Sequence, residues 1–459
     1  MNKLRTVNLS VLVALTATPA LAQKQTPPVG GPSKPYAVPA HESYTLPNGM
    51  KVTLVPYGNL PKVMLALMVR AGMVNEPKDT AGMATLATKL MKEGTTSRTA
   101  KQVADAAADM GGTIEVSIEA DQTGISSDVL SEFGPKAAEL IAEVAEHPRF
   151  PESELPRLKN DALRQLAVDE SVPQNIAEER FRKILYPDHP YGVVFPTKEG
   201  IGKTSVADIR KFYDDNFGAA RAHLYVAGRF DAAEIKKAIA QSFGIWASGT
   251  APSTNVPDTK PRHVLDLTDR PGAAQSTLLV GLPVPGPNSP DTIPLEVTNA
   301  LLGGSFGSRI TSNIREQKGY TYSPFSEVST RYHDAYWAEA ADVTTQFTGP
   351  SLKEIVGEIT RLQDEAPGEA ELRGIQTYLS GLFVIRNSSR RALIGQLSFV
   401  DLQGLGDDYL ANWVQRVNAV TPEQVQSTTK KYIRPNDMTV VVVGDKARIA
   451  EQIAPFQPQ

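Results

Sequence analysis

The sequence lacks several features that would place it in a specialised class of protein. No cysteine occurs among its 459 residues, which excludes a disulfide framework and a lipobox. The six histidines never lie within five residues of one another, which excludes a helical histidine pair that could hold a metal ion. A net charge of −4 gives no electrostatic reason to expect nucleic acid or an anionic membrane surface as a partner. No segment beyond the N-terminus approaches the roughly 20 apolar residues that span a bilayer.

The N-terminus has the pattern of a secretory signal peptide. Lys3 and Arg5 precede a short, mostly apolar stretch, and Ala20 and Ala22 form a small-x-small cleavage site before Gln23. We therefore expect residues 1–22 to be removed on export and the mature protein to be periplasmic. Residues 23–41 are rich in proline and glycine and predict a flexible lead-in.

A second break divides the mature chain into two parts. Residues 248–261 contain Pro, Ser, Thr and Gly without apolar periodicity and are interpreted as an inter-domain linker. The linker separates an N-terminal domain over residues 42–247 from a C-terminal domain over residues 262–457. This division agrees with the length of the chain, which exceeds what one hydrophobic core usually supports.

The two parts repeat one pattern, which indicates an internal duplication. Near the end of each part an amphipathic helix is followed by a short loop, an apolar strand and a glycine, and these glycines, Gly228 and Gly444, lie 216 positions apart. The same spacing pairs Ile209 with Val425 on the preceding helices. Each part also has runs of strands followed by runs of helices. The predicted fold class is therefore α+β, with two homologous α/β-sandwich domains.

A helical segment near the start of the first part carries a resemblance to a known family. Residues Ala81–Thr95, AGMATLATKLMKEGT, resemble the zinc-binding helix of the pitrilysin/insulinase family of metallopeptidases. That family has an H-x-x-E-H motif in the same frame. Two histidines four positions apart share one helical face and hold Zn²⁺, the glutamate between them activates water, and a more distant glutamate completes the ligands.

The sequence departs from this motif at every ligand position. Thr85 and Lys89 stand where the histidines would be, Thr88 stands at the glutamate, and Gln165 stands at the distal ligand position. A hydroxyl is a poor zinc ligand, an ammonium has no lone pair to donate, and an amide lacks the charge of a carboxylate. We therefore predict no metal ligand and no cofactor in this chain. Lys89 either pairs with an acidic neighbour or is simply solvated.

The second part retains another signature of the same family. Residues Leu301–Pro324, LLGGSFGSRITSNIREQKGYTYSP, resemble the family's C-terminal signature, in which an arginine is followed seven residues later by a tyrosine. Here these residues are Arg315 and Tyr322. The resemblance implies that they face the zinc site across an enclosed cavity, bind the substrate backbone and stabilise the oxyanion. The candidate substrate-contacting residues are Gly303, Gly304 and Ser305. For the two glycines, a helix C-cap and turn remains the alternative.

The chain lacks the zinc-binding motif but has the Arg/Tyr signature. By the resemblance, this combination implies one subunit of a two-chain enzyme. Relatives of this type pair so that the zinc face of one chain meets the Arg/Tyr face of the other. We therefore expect a heterodimer with a homologous H-x-x-E-H chain that carries the zinc, hydrolysing peptides with Arg315 and Tyr322 as this chain's catalytic residues. The alternative is a non-catalytic scaffold or peptide-binding homologue. A self-sufficient serine or aspartate hydrolase is disfavoured because no His–Ser–Asp arrangement is recognisable.

Overall fold

The computed structural model of the chain describes residues 37–253, 255–406 and 408–458. The predicted signal peptide, residues 1–22, lies outside the described residues, as does most of the predicted lead-in, residues 23–41. Among the described residues no helix combines the length and the apolar character needed to cross a membrane. The described residues of the predicted linker have no regular secondary structure. The exact domain bounds stay predictions.

The first part of the chain forms a six-stranded sheet with helices packed against it. Its strands are β1 (Glu42–Thr45), β2 (Lys51–Pro56), β3 (Lys62–Val69), β4 (Glu115–Ile118), β5 (Thr123–Leu130) and β6 (Ala222–Gly228). Its helices are α1 (Met83–Met91), α2 (Ala100–Asp109), α3 (Gly134–Glu146), α4 (Leu155–Asp169), α5 (Pro173–Leu185), α6 (Lys198–Lys203), α7 (Val206–Asn216) and α8 (Ala232–Phe243). The strand order in the sheet is β1-β2-β6-β3-β5-β4.

The second part forms a five-stranded sheet, also with helices against it. Its strands are β7 (Val264–Asp269), β8 (Gln275–Pro285), β9 (Phe325–Arg331), β10 (Asp334–Thr344) and β11 (Thr439–Gly444). Its α-helices are α9 (Thr292–Leu302), α10 (Thr348–Asp364), α11 (Glu369–Arg386), α12 (Arg390–Gln403), α13 (Asp408–Asn418), α14 (Pro422–Tyr432) and α15 (Lys446–Ile453). A π-helix occupies Thr311–Gln317. The strand order is β7-β11-β8-β10-β9.

The two sheets share one topology. In the first, β6 lies between β2 and β3, parallel to β2 and antiparallel to β3. In the second, β11 lies between β7 and β8, parallel to β7 and antiparallel to β8. The strands that end at Gly228 and Gly444 are thus equivalent, as the spacing of 216 residues predicts. The prediction of an α+β fold with two homologous sandwich domains is confirmed.

The sequence Pro-Asn-Gly at residues 47–49 is typical of a hairpin turn, and it forms one at the start of the first sheet. Strands β1 and β2 pair antiparallel, and the backbone N–H of Met50 lies close to the side-chain oxygen of Asn48. Gly49 has φ of 96°, a left-handed conformation that favours glycine. The Asn48 side chain also donates to the carbonyl oxygens of Phe243 (2.7 Å) and Trp246 (3.0 Å). The turn therefore ties the hairpin to the end of α8.

Each part contributes one helix to the sheet of the other part. Helix α5 packs against β8 and β11 of the second sheet, where Phe181 is fully buried and meets Tyr336 edge to face. Helix α12 packs against β3 and β6 of the first sheet. Ion pairs reinforce both contacts, between Arg180 and Asp266 for α5 and between Arg390 and Asp128 for α12. The starts of the two helices lie 217 positions apart, so this exchange follows the duplication.

The segment LYPDHPYG after α5 also joins the two parts. Tyr186 donates its hydroxyl proton to Asp334 (2.6 Å), and Tyr191 donates to Asp121 (2.6 Å). His189 accepts the backbone N–H of Tyr191 and its other ring nitrogen lies 3.2 Å from the carbonyl oxygen of Asn255. These contacts give His189 the structural role expected for a turn residue.

Candidate functional site

The two elements that carry the zinc ligands in relatives pack against each other here. Helix α1 carries Thr85, Thr88 and Lys89, and it contacts α4, which carries Gln165. The carboxylate of Glu76 caps α1 by accepting the backbone N–H groups of Gly82 (3.0 Å) and Ala84 (2.6 Å). The four degenerate positions therefore lie on two helices that pack against each other.

The side chains at these positions are engaged by their own helices. Thr88 is buried, and its hydroxyl donates to the carbonyl oxygens of Ala84 (3.1 Å) and Thr85 (3.0 Å). Gln165 is exposed and donates its amide to Asp169, one turn further along α4 (2.9 Å). Thr85 borders a cavity of about 350 Å³ whose wall contains four prolines. Hydroxyl and amide groups held in this way are not oriented as metal ligands.

Lys89 shows why this surface does not fit zinc. The side chain is partly buried in the last turn of α1, where a cation stabilises the helix dipole. Within the described part of the chain, no carboxylate lies within ion-pair distance of Lys89, so of the two alternatives for Lys89 the acidic partner is not found. A cation at the position of a histidine ligand repels a divalent metal. Over residues 37–253, 255–406 and 408–458, no group of three metal-ligating side chains is arranged to hold an ion.

The second signature places Arg315 on the π-helix Thr311–Gln317. A π-helical turn is rare and is frequently found at functional sites. Asn313 anchors this turn from inside by donating its amide to Glu354 (3.0 Å) and Glu358 (2.8 Å) of α10. Arg315 itself keeps 22% of its side chain exposed. The π-helix is thus fixed on its buried side while Arg315 reaches towards the surface.

The structure brings Arg315 and Tyr322 together and adds Phe306. The central carbon of the Arg315 guanidinium lies 4.9 Å from the ring centroid of Tyr322 and 4.3 Å from that of Phe306. Tyr322 is 78% exposed and Phe306 is 67% exposed. Tyr320, two residues before Tyr322, instead stacks on Phe347 (4.3 Å). A permanent cation, a free phenol hydroxyl and an open aromatic ring therefore share one patch, which we call the Arg/Tyr patch.

The two glycines that precede the patch are packed closely. Gly303 follows α9 with φ of −146°, so it ends the helix without a left-handed backbone. A β-carbon on Gly303 would lie 2.3 Å from a carboxyl oxygen of Glu339 and 2.5 Å from the hydroxyl of Ser326. On Gly304 it would lie 2.4 Å from the Asn299 amide nitrogen. The glycines are therefore required for close approach to the second sheet.

The predicted substrate-contacting residues Gly304 and Ser305 lie in different surroundings. Gly304 borders a cavity of about 600 Å³ between β9 and helices α11–α13, and Asn299 and Ser326 border it too. Ser305 is buried, and its hydroxyl has no hydrogen-bond partner among the described residues. Residues 303–307, GGSFG, have the form G-x-S-x-G, but they follow a helix and not a strand, and no histidine bonds to Ser305. The segment is therefore not a nucleophile elbow.

Glu339 is a buried carboxyl that sequence reasoning did not identify. It lies on β10 beneath Gly303, is fully buried, and neither of its oxygens has a hydrogen-bond partner among the described residues. Burial raises its pKa well above the ordinary value. Nothing in the sequence near Glu339 signals this contact. Phe306 could have been noticed, because an aromatic residue is unusual within a Gly/Ser loop.

Two family models match the chain in order. The model described as Insulinase (Peptidase family M16) matches residues 53–194, and the model described as Peptidase M16 inactive domain matches residues 203–379. The two matches together cover more than half of the chain, and the second begins before β6, the last strand of the first sheet in chain order.

Relatives and solved structures agree with these models. The uncharacterized zinc protease YmxG of Bacillus subtilis is 24% identical over 407 residues, which cover 84% of this chain and 94% of the relative. The non-peptidase homolog YmxG of Helicobacter pylori is 23% identical over 411 residues, covering 87% and 94%. A crystal structure described as a peptidase M16 inactive domain from Pseudomonas fluorescens superposes with a TM-score of 0.82 at 22% identity, covering 88% of this chain and 98% of the other.

A crystal structure of a protease from Helicobacter pylori has a TM-score of 0.83 at 20% identity, covering 89% of this chain and all of the other. At these identities the superpositions support the fold alone. The replaced zinc ligands and the inactive-domain match support a member without a complete peptidase site of its own. With both models matched in order on a duplicated sandwich, the chain belongs to the insulinase family of peptidases, family M16.

Proposed function

We propose that this chain is the substrate-binding, transition-state-stabilising subunit of a heterodimeric zinc metallopeptidase. Its partner would be a homologous chain with an intact H-x-x-E-H helix, and the pair would hydrolyse peptides in an enclosed chamber. Zinc would belong to the partner, where it would polarise the peptide carbonyl and activate water. In this chain Arg315 and Tyr322 would be the catalytic residues.

The observation that carries the proposal is the Arg/Tyr patch. Arg315 and Tyr322 are seven residues apart in sequence, yet the structure places them in contact on the surface. Within the described residues the one carboxylate paired with Arg315 is its exposed neighbour Glu316 (3.2 Å). An exposed pair of this kind contributes little to stability. The cation and the phenol are therefore available to a ligand that approaches from outside.

These two groups suit the charge that develops during peptide hydrolysis. Attack of water on a carbonyl carbon places negative charge on the carbonyl oxygen. Arg315 offers a permanent charge with several rigid N–H donors, and Tyr322 offers one O–H donor. Donors fixed before the reaction stabilise the oxyanion without reorganisation, and loss of one such donor costs about 2.7–4 kcal/mol of barrier in a studied enzyme.

Export to the periplasm is part of the same proposal. The signal-peptide pattern of residues 1–22 predicts a mature N-terminus at Gln23. The partner would then carry a signal peptide of its own. N-terminal sequencing of the native protein would test the cleavage site independently of any activity.

A peptide-binding or scaffold role without catalysis is the second candidate. It is favoured by the relative from Helicobacter pylori that is named a non-peptidase homolog and that this chain matches over 94% of its length. The two roles differ in one measurable respect. A scaffold binds its partner or a peptide but leaves the rate of hydrolysis independent of Arg315 and Tyr322.

The decisive experiment is affinity isolation of the tagged chain from its native cells, followed by reconstitution. We expect a chain of similar size bearing H-x-x-E-H to co-purify in equal amounts. Cleavage of an internally quenched peptide should require both chains and should be abolished by EDTA. Full activity of the partner alone would contradict the proposal, as would EDTA-sensitive activity of this chain alone.

A further inference from the structure

The Arg315 guanidinium contacts two exposed aromatic rings. Its central carbon is within 5 Å of the ring centroids of both Phe306 (4.3 Å) and Tyr322 (4.9 Å). Among the aromatic contacts of the described residues, none joins Phe306 to Tyr322. Each ring therefore restrains the guanidinium through a cation–π contact of its own.

Burial does not hold Phe306 in this place. Its side chain is 67% exposed, and it is followed by Gly307, where a β-carbon would meet nothing within 4 Å. Phe306 therefore projects from an open, glycine-flanked loop and keeps much apolar surface in water, which folding alone disfavours. Its one cation contact in the described chain is with Arg315. This placement points to a role at the Arg315 side chain.

The other restraints on Arg315 are weak. Glu316 is adjacent in sequence and 56% exposed, so its ion pair with the Arg315 Nε atom is solvated. Tyr322 lies further from the guanidinium than Phe306 and is itself 78% exposed. Without Phe306 the guanidinium would be free to rotate away from the position that the two rings define.

We infer that Phe306 is a positioning residue that restrains the Arg315 guanidinium through its cation–π contact, so that the N–H groups of Arg315 are held in place to meet a peptide oxygen. This inference rests on the proposed function, because it names a residue that serves the same reaction. Donors must lie at a set distance from the developing oxyanion to be effective. A displacement of about 1 Å can lower a rate by roughly a hundredfold.

The packing itself can be tested on the full chain without a partner. The Nε–H signal of Arg315, assigned by loss in Arg315→Lys, should show a ring-current shift in the NMR spectrum. Phe306→Leu keeps an apolar side chain but removes the ring, and we expect the signal to move towards that of free arginine. Phe306→Tyr should preserve the shift. Phe325→Leu is the matched control, since Phe325 is also exposed (53%) and has no cation contact with Arg315 in the described chain. An unchanged signal in Phe306→Leu would overturn the inference.

The consequence is tested in the reconstituted heterodimer with an internally quenched peptide. We expect Phe306→Leu to lower kcat by about tenfold or more with KM changed less than twofold, and Phe306→Tyr to restore kcat. An unchanged kcat in Phe306→Leu would overturn the positioning role, as would a change confined to KM. If the wild-type pair itself is inactive, the proposed function fails, whereas the NMR result still decides whether Phe306 orders Arg315.

Discussion

The surface formed by α1 and α4 and the Arg/Tyr patch differ in how their polar side chains are engaged. On the surface formed by α1 and α4, polar side chains form hydrogen bonds within their own helices. Thr88 bonds to the α1 backbone, and Gln165 bonds to Asp169. On the Arg/Tyr patch, Tyr322 and Phe306 are exposed, and each contacts Arg315. The polar groups of the first surface are thus bonded within the chain, whereas the groups of the Arg/Tyr patch remain accessible to a ligand.

Both surfaces rest on ordered backbone, since α1 packs on α4 and the π-helix follows a glycine pair. Only the patch exposes a cation and two aromatic rings, an arrangement that stability alone does not favour. Substitutions of charged or polar side chains should therefore lower activity more on the Arg/Tyr patch than on the surface formed by α1 and α4.

The largest effect is expected for Arg315→Ala in the heterodimer. Removing a charged donor from the oxyanion should lower kcat/KM by roughly a hundred- to a thousandfold while the two chains still assemble. Arg373→Ala is the matched control, because Arg373 is exposed on α11 and has no ion pair among the described residues. The measurement is peptide cleavage together with size-exclusion chromatography. Equal rates for the two variants would make the patch structural.

The next largest effect is a loss of stability expected at Gly303, which precedes the Arg/Tyr patch in the chain. In Gly303→Ala, the new β-carbon would lie 2.3 Å from Glu339 and 2.5 Å from Ser326, and we expect a loss of stability of up to about 3 kcal/mol. In Gly307→Ala, the β-carbon would meet nothing within 4 Å, so the change should stay within about 0.5 kcal/mol. Urea denaturation of both variants measures the difference. Similar losses would mean that the loop does not rest on the second sheet as described.

A somewhat smaller, pH-dependent effect is expected at the cap of α1. Burial raises the pKa of Glu76 to about 6, although the N–H groups of Gly82 and Ala84 act to lower it. Since the folded pKa is raised, the unfolded chain loses this proton at lower pH, and stability falls as pH rises from about 4.3 to 6. The full change is about 2 kcal/mol.

Glu76→Gln removes the titrating group and keeps its shape. The stability difference between wild type and variant, measured by urea denaturation from pH 4 to pH 8, should shift in favour of the variant between pH 4 and 6 and then level off. A constant difference across this range would show that Glu76 does not titrate with a raised pKa. Because only the difference is used, the other carboxyls of the protein cancel.

The sequence predicts those parts of the molecule that depend on local chemistry. The Pro-Asn-Gly turn, the repeat ending at Gly228 and Gly444, and the motif joining Arg315 to Tyr322 are all recognisable along the chain and are all found in the structure. The spacing of a motif fixes which residues can share a turn or a short loop. The choice of Arg315 and Tyr322 as candidate site residues came from the resemblance of residues Leu301–Pro324 to a family signature and not from spacing alone.

The sequence does not predict which surfaces meet over long distances. The apolar face of α5 shows that it packs against something, but not that Phe181 crosses to the second sheet. Glu339 and Gly303 are 36 residues apart in sequence. They meet only because strand β10 lies next to the end of helix α9. Such contacts depend on tertiary packing, and periodicity carries no information about the partner.

The smallest effect is expected for substitutions on the surface formed by α1 and α4. Gln165→Glu restores a ligand type at an exposed position of α4, and Lys89→Ala removes a cation that has no carboxylate partner among the described residues. Neither change disturbs a buried contact, so each should alter stability by less than about 0.5 kcal/mol and leave heterodimer activity within twofold. Zinc content measured by mass spectrometry should also stay unchanged in Gln165→Glu, because one carboxylate without two imidazoles is not a zinc site. Stoichiometric zinc in that variant, or a loss of activity comparable to that of Arg315→Ala, would mean that the α1 and α4 surface still takes part in the reaction.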